Sequence, residues 1–180
     1  MTKADRYSAI DWNTWQPKDR ATLLFIVEPD RILLIEKQRG LGQGKVNGPG
    51  GRLDPGETLA ECAIREAREE LHITAHDPQH RGILRFDFED GYKLEAHVYT
   101  AHSYDGTPTA TEEAVPLWSA HAEIPYDRMW EDDILWLPRM LDGENFSGRF
   151  AFADDAMQGH TLDFFPAGTP IENRGVDIVG

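Results

Sequence analysis

The sequence predicts an α/β fold, a single-domain sandwich on a mixed β-sheet with two helices. Three observations support this. Apolar runs of strand length recur along the chain, separated by turn residues such as Glu28-Pro29-Asp30 and Glu89-Asp90-Gly91. Only two stretches read as helices. The order of elements also lacks the regular strand–helix alternation of a parallel array.

Residues 21–28 and 31–38 read as a hairpin or two adjacent strands. A glycine-rich stretch runs from Gly40 to Gly51. Asp54-Pro55-Gly56-Glu57-Thr58 then supplies a turn and a helix start, and residues 58–71 form the first helix. Its apolar face is Leu59, Cys62, Ala63 and Ala67. Strands follow near 81–88 and 93–101, then a loop over 102–112 and a short strand over 114–119. The second helix is expected over 128–141, with last strands near 147–153 and 160–165. No repeat or linker divides the chain. The expected organisation is an N-terminal extension (1–20), one domain (21–165) and an irregular tail (166–180).

Apolar residues at 40% and charged residues at 28% give a globular balance rather than a disordered one. The longest aliphatic and aromatic run, Leu23 to Val27, is far too short to span a bilayer, so no membrane partner is expected. Residues 1–20 lack the pattern of a signal peptide, and Cys62 is the single cysteine, so no intrachain disulfide can form. A cytoplasmic location is expected. The net charge of −14 repels nucleic acid polymers, and there is no basic cluster to hold them. A small polyphosphate would also be repelled unless metal cations stood between it and the protein.

The chemistry concentrates in Gly51 to Ile73. Glu66, Glu69 and Glu70 stand at i, i+3 and i+4 and form one ridge on a helix. Close, unpaired carboxylates repel one another, and hard divalent cations relieve that repulsion because they take oxygen ligands. Taken alone, the ridge would read as a solvated face with Arg65 and Arg68 in surface ion pairs. The glycine-rich loop before it shifts the balance, because it lets backbone approach a metal or a phosphate.

Gly51, Glu57 and Arg65-Glu66-Ala67-Arg68-Glu69-Glu70 match the Nudix signature in spacing and identity. The chain thus resembles the Nudix hydrolases, whose loop–helix–loop holds Mg²⁺ or Mn²⁺ for substitution at phosphorus. The resemblance implies a Nudix α/β/α sandwich. It also implies Glu66, Glu69, Glu70 and the Gly50 carbonyl as metal ligands, with Arg65 and Glu57 bracing the loop. Two positions depart from the signature. Ala67 replaces a bulky aliphatic, and His72 stands where a glycine is usual, as a helix-end residue rather than a ligand.

From about Leu23 to Phe165 the chain further resembles the oxidised-purine nucleoside triphosphatases of the MutT-homologue class. The matching segments are Lys37 to Gly48 and Met129-Trp130-Glu131-Asp132-Asp133-Ile134-Leu135-Trp136. By that resemblance Asn47, Asp132 and Asp133 would hydrogen-bond the purine edge, and Trp130 would stack on the base. Lys37 would lie near the pocket or phosphates. Leu41 joins the substrate-binding set at a position where the class often carries an aromatic. Glu113 would join the metal shell or position water, so that either Glu70 or Glu113 is the general base. The implied reaction is hydrolysis to the monophosphate and pyrophosphate by a monomer. Alternatives are another nucleoside triphosphate, a nucleotide sugar, or a nucleotide-binding module without catalysis.

Asp132 and Asp133 also carry a physical expectation. Oxidation turns guanine N7 from acceptor to donor. A carboxylate reads a donor and a carboxylic acid reads an acceptor. Two adjacent Asp in an enclosed site raise each other's pKa, so one can hold a proton. On a surface the same pair would be ordinary helix N-terminal acids.

Overall fold

The computed structural model describes residues 3–171. Helix α1 (Lys3–Ala9) precedes the paired strands β1 (Asp19–Val27) and β2 (Arg31–Lys37). Two short strands, β3 (Val46–Asn47) and β4 (Gly50–Arg52), lead into helix α2 (Leu59–Leu71). Then come β5 (Thr74–His76), β6 (Gln79–Phe88), β7 (Lys93–Ala101), β8 (Ser103–Asp105) and β9 (Ala114–Ala120). Helix α3 (Asp133–Leu141) and the hairpin β10 (Asn145–Ala153) with β11 (Ala156–Phe165) complete the fold.

Nine strands form one sheet in the order β11-β10-β6-β7-β1-β2-β3, with β4 also on β1 and β9 also on β2. The pairs β1–β7 and β10–β6 are parallel and the others antiparallel, so the sheet is mixed as expected. Strand alternation splits the core in two. Leu24, Ile26, Leu33 and Ile35 pack under Ala63, Ala67 and Leu71 of α2. Phe25, Ile32 and Leu34 point the other way, toward Trp136, Leu137 and Met140 of α3. Trp136 is wholly buried, stacked on Phe146 with ring centroids 4.9 Å apart. It is therefore a core residue, and Trp130 alone of the pair lines the cavity described below.

Helix α2 starts where the sequence predicts. Thr58 Oγ1 accepts from the Glu61 N–H (3.1 Å), and Glu61 Oε1 accepts from the Thr58 N–H (3.4 Å), a reciprocal cap. It ends at His72, which takes a left-handed conformation (φ 59°, ψ 33°) and donates its N–H to the Arg68 carbonyl.

Several elements differ from the sequence-based expectation: α1 is a third helix within the expected extension, where no apolar periodicity marks it, and β3, β4 and β5 are too short to leave a strand signal. The second helix begins at Asp133, not 128, because Tyr126–Arg128 closes a separate 3₁₀ turn and Met129 is extended (φ −111°, ψ 171°). The loop expected over 102–112 contains β8, which pairs with β5 in a small second sheet. Three residues without an apolar run give no strand signal. Among the described residues no helix is long and apolar enough to cross a membrane.

Candidate active site

Helix α2 and the turn before β9 bring three carboxylates together. One oxygen each from Glu66, Glu70 and Glu113 lies within 4.8 Å of the others. Glu66 and Glu70 share the buried face of α2, and Glu113 arrives from the turn before β9. Glu70 is 4% exposed and accepts the Gly50 N–H at 3.2 Å. Burial pushes its carboxyl up to about 8, and Glu66 and Glu113 add repulsion. Burial also raises Glu66, against the pull of Arg65. Two buried acids beside the part-exposed Glu113 fit a divalent cation, which would satisfy their oxygens and offset their repulsion, although Arg65 already pairs with Glu66 and Arg39 with Glu113.

Glu69 stands outside this trio. It lies 100° round the helix from Glu70, is more than half exposed, and accepts from Arg65 Nη1 at 3.2 Å. Arg65 is the organiser of the loop. Its Nε and Nη2 grip both Glu57 oxygens at 2.6 and 2.8 Å, its Nη1 reaches Glu66, and Nη2 also holds the Arg52 carbonyl. Those hydrogen bonds hold the Glu57 carboxyl at about 2.

Gly51 is required by space. A Cβ there would sit 2.4 Å from Glu66 Cδ and 2.5 Å from both carboxylate oxygens. Gly51→Ala is therefore expected to displace Glu66. The divalent-cation concentration giving half-maximal rate should rise about 10- to 100-fold, read from a metal titration at saturating substrate. An unchanged metal requirement would remove Glu66 from the cation site.

A cavity of about 470 Å³ extends from this trio over the sheet. Its walls include Leu84, Phe86, Phe88 and Leu94, and Asn47, Trp130, Asp132 and Asp133 reach it from the far side. That volume suits a nucleotide-sized ligand. Lys37 is half-buried and lines the same cavity. Burial lowers its pKa against the attraction of Glu70, Glu113 and Glu66. Gly50 and Leu41 also line the cavity, Leu41 47% exposed in the glycine loop. Asn47 Oδ1 accepts the Gly48 N–H at 2.8 Å, and its amide N–H₂ can donate elsewhere.

Asp132 and Asp133 are not surface acids at a helix start. Both are buried, 0% and 3% exposed. Trp136 Nε1 donates to Asp132 Oδ2 at 2.9 Å, while Asp132 Oδ1 and Asp133 Oδ2 have no hydrogen-bond partner. Burial raises both carboxyls, and the neighbouring Asp132 charge raises Asp133 further. A proton shared by the pair would turn one oxygen into a donor and leave another as an acceptor, and both residues line the cavity.

Sequence reasoning misses Phe86, Phe88, Leu94, Tyr92, Arg39 and Arg52, all of which line the cavity. The period-2 pattern of residues 81–88 carries a signal for Phe86 and Phe88, which must share one face of β6. Arg39 stands inside the segment Lys37 to Gly48 and pairs with Glu113 at 2.5 Å.

A carboxylate trio on one face of α2 and in the turn before β9, joined to a nucleotide-sized cavity, fits cation-dependent chemistry on a phosphorylated ligand. A family model described as the NUDIX domain matches residues 17–140, and the chain belongs to that family, whose hydrolases use divalent metal ions. It is 40% identical over 144 residues to the oxidized purine nucleoside triphosphate hydrolase of Danio rerio, covering 79% of this chain and 92% of the relative. The Mus musculus protein of the same name is 37% identical, covering 78% and 92%. Among solved structures, the mutator MutT protein of Bacillus halodurans superposes with a TM-score of 0.73 at 26% identity, covering 81% of this chain and 97% of that one.

Proposed function

We propose that this protein hydrolyses oxidised purine nucleoside triphosphates, of the 8-oxo-dGTP and 2-hydroxy-dATP type, to monophosphate and pyrophosphate, and so removes them from the nucleotide pool. The names of the zebrafish and mouse relatives support this reading. The observation that carries it is the buried Asp132–Asp133 pair, which leaves two oxygens unpartnered and lines a cavity continuous with the carboxylate trio.

In this reading Glu66, Glu70 and Glu113 hold Mg²⁺ or Mn²⁺, with the Gly50 carbonyl nearby and Glu69 at the rim. When bound, such a cation supplies positive charge to the phosphate oxygens and makes water easier to deprotonate. Arg65 holds the helix and loop in register. Lys37 adds positive charge beside the phosphate chain. Trp130 packs on the purine, Leu41 covers its outer side, and Asn47, Asp132 and Asp133 bind its edge. Water attacks phosphorus and gives its proton to Glu70 or Glu113. The α–β bridging P–O bond breaks, and pyrophosphate leaves with the electron pair.

Asp132→Asn and Asp133→Asn test the base-reading half. An amide fixes one donor and one acceptor where the pair can rearrange its proton. Each variant is expected to change the ratio of kcat/KM for 8-oxo-dGTP over 2-hydroxy-dATP by about tenfold, the worth of one hydrogen bond to a charged group. Variants that keep the parent's base preference would show that the pair does not read the base.

The same pair makes a stability prediction. A carboxyl raised in the folded state gives stability that is full below the unfolded value near 4 and is lost as pH rises toward the folded value. The groups facing the pair are Glu131, Lys45, Tyr126 and Trp136. Ligand-free Asp133→Asn is expected to lose less stability than the parent between about pH 5 and pH 7. The gap should widen by roughly 1 kcal/mol for each step of one in pH, measured by urea denaturation. Parallel pH profiles would contradict this.

A further inference from the structure

The N-terminal segment lies outside the family match, which begins at residue 17. Yet it is built into the back of the candidate base pocket. Strand β6 alternates, so Phe86 and Phe88 face the cavity and Arg85 and Asp87 face the other way. The register across the sheet puts Asp87 beside Ala151, which pairs in turn with Gly159. Helix α1 covers this back face. A Cβ on Gly159 would sit 2.6 Å from Tyr7 Cβ, so the glycine makes the socket for that ring, and the Tyr7 hydroxyl bonds Thr161.

Asp87 is where the segment takes hold. Arg6 Nη2 meets Asp87 Oδ1 at 2.6 Å, and Trp15 Nε1 donates to Oδ2 at 3.0 Å. Arg6 Nη1 also reaches the Asp87 carbonyl (3.2 Å), the Phe152 carbonyl (3.5 Å) and Gln158 Oε1 (3.0 Å). One guanidinium thus ties together β6, β10 and β11. The Arg6 and Asp87 side chains are only 17% and 10% exposed, so the pair is well shielded from solvent. Trp15 is 5% exposed, with its ring centroid 5.6 Å from that of Trp12.

On the opposite side of the same strand positions sits the aromatic floor. Phe88 lies 5.9 Å from Phe152, and Trp130 stands edge-on to both, at 6.0 and 5.4 Å. Phe86 stacks on Phe150 at 5.5 Å. The backbone that Arg6 grips at Asp87 and Phe152 is the backbone that sets where Phe86, Phe88 and Phe152 stand. Close-packed aromatic floors tolerate little displacement, because shifts of about 1 Å or less lose contact energy.

We propose that residues 6–15 are a positioning element for the purine pocket, with Arg6 and Trp15 fixing the floor through Asp87. This rests on the reading of that cavity as the purine site. Arg6 and Trp15 do not touch the ligand. They hold β6, whose other side lines the cavity, against β10, whose Phe150 and Phe152 pack on Phe86 and Phe88.

The test uses the full-length protein with Arg6→Ala, Arg6→Lys and Trp15→Phe. Steady-state hydrolysis is measured with 8-oxo-dGTP and dGTP. Binding of 8-oxo-dGMP, which lacks the polyphosphate, is followed by calorimetry in EDTA. Arg6→Ala is expected to raise KM and weaken 8-oxo-dGMP binding by about 3- to 10-fold, with kcat within about twofold, at a temperature where circular dichroism shows a folded protein. Trp15→Phe keeps an aromatic ring and should show a smaller effect in the same direction. Arg6→Lys keeps the charge without the fork and should fall between Arg6→Ala and the parent. A lowered Tm with KM and 8-oxo-dGMP binding unchanged in all three variants would overturn the proposal and leave the segment as a stabilising strap. A parent that does not distinguish 8-oxo-dGTP from dGTP overturns the oxidised-base reading instead. The positioning role is then read from the same KM split on dGTP.

Discussion

Glu70→Gln is expected to lower kcat by on the order of 10²- to 10⁴-fold and to leave the metal-free fold intact or slightly more stable. The two effects have one cause. Glu70 is 4% exposed, and its carboxylate has a single backbone N–H partner at 3.2 Å, with Glu66 and Glu113 close by. In the metal-free protein burial and repulsion hold its carboxyl up at about 8, mostly neutral at pH 7, so an isosteric neutral amide changes stability little while it removes a cation ligand or the base. Initial rates and urea denaturation in EDTA measure the two sides. Lost activity with an equal loss of stability would point to a structural residue. Retained activity would remove Glu70 from the chemistry.

Glu95→Gln is expected to destabilise the protein by about 3–5 kcal/mol at pH 7, far more than any surface charge would. Glu95 is 2% exposed and receives three donors: His97 Nε2 at 2.8 Å, Arg85 Nε at 3.0 Å and Arg20 Nε at 3.1 Å. Arg85 is 1% exposed, and its Nη2 has no partner of its own. Without the carboxylate, a guanidinium stays buried and uncompensated. Burial opposes ionisation of Glu95, but His97, Arg85 and Arg20 win and hold its carboxyl at about 2. A depressed carboxylate pKa gives stability that is present above the unfolded value near 4 and lost as pH falls toward the folded value. The gap between parent and variant should therefore be full at pH 7 and narrow from about pH 4 down to about pH 2, read from denaturation midpoints. A variant within about 1 kcal/mol of the parent at pH 7 would contradict the buried-network account.

Local rules make much of this legible in the sequence. Thr58, the absence of Gly and Pro, and the apolar spacing of Cys62, Ala63 and Ala67 place α2 almost to the residue, because capping and periodicity act over one or two turns. Helical spacing also puts Glu66 and Glu70 on one ridge. It cannot say that the ridge's buried edge faces Glu113 while Glu69 turns out to Arg65, since that depends on where the turn before β9 arrives.

Helix α3 starts later than the sequence pattern indicates, at Asp133 rather than 128. The pattern from 128 is helix-like, but a 3₁₀ turn and an extended Met129, buried in the same core as Trp136, interrupt it. In the sequence, only the flanking tryptophans point to burial of Asp132 and Asp133. The N-terminal segment shows no pattern, because Trp15 and Arg6 acquire meaning only from Asp87, 72 and 81 residues away.

The proposed function makes the buried Asp pair and the carboxylate trio one site for oxidised purine triphosphates. It is tested most directly by pyrophosphate release from 8-oxo-dGTP and dGTP under subsaturating conditions with Mg²⁺. The expected result is a kcat/KM at least about tenfold higher for 8-oxo-dGTP, the worth of one added hydrogen bond to a charged group. Equal values for the two substrates would contradict it.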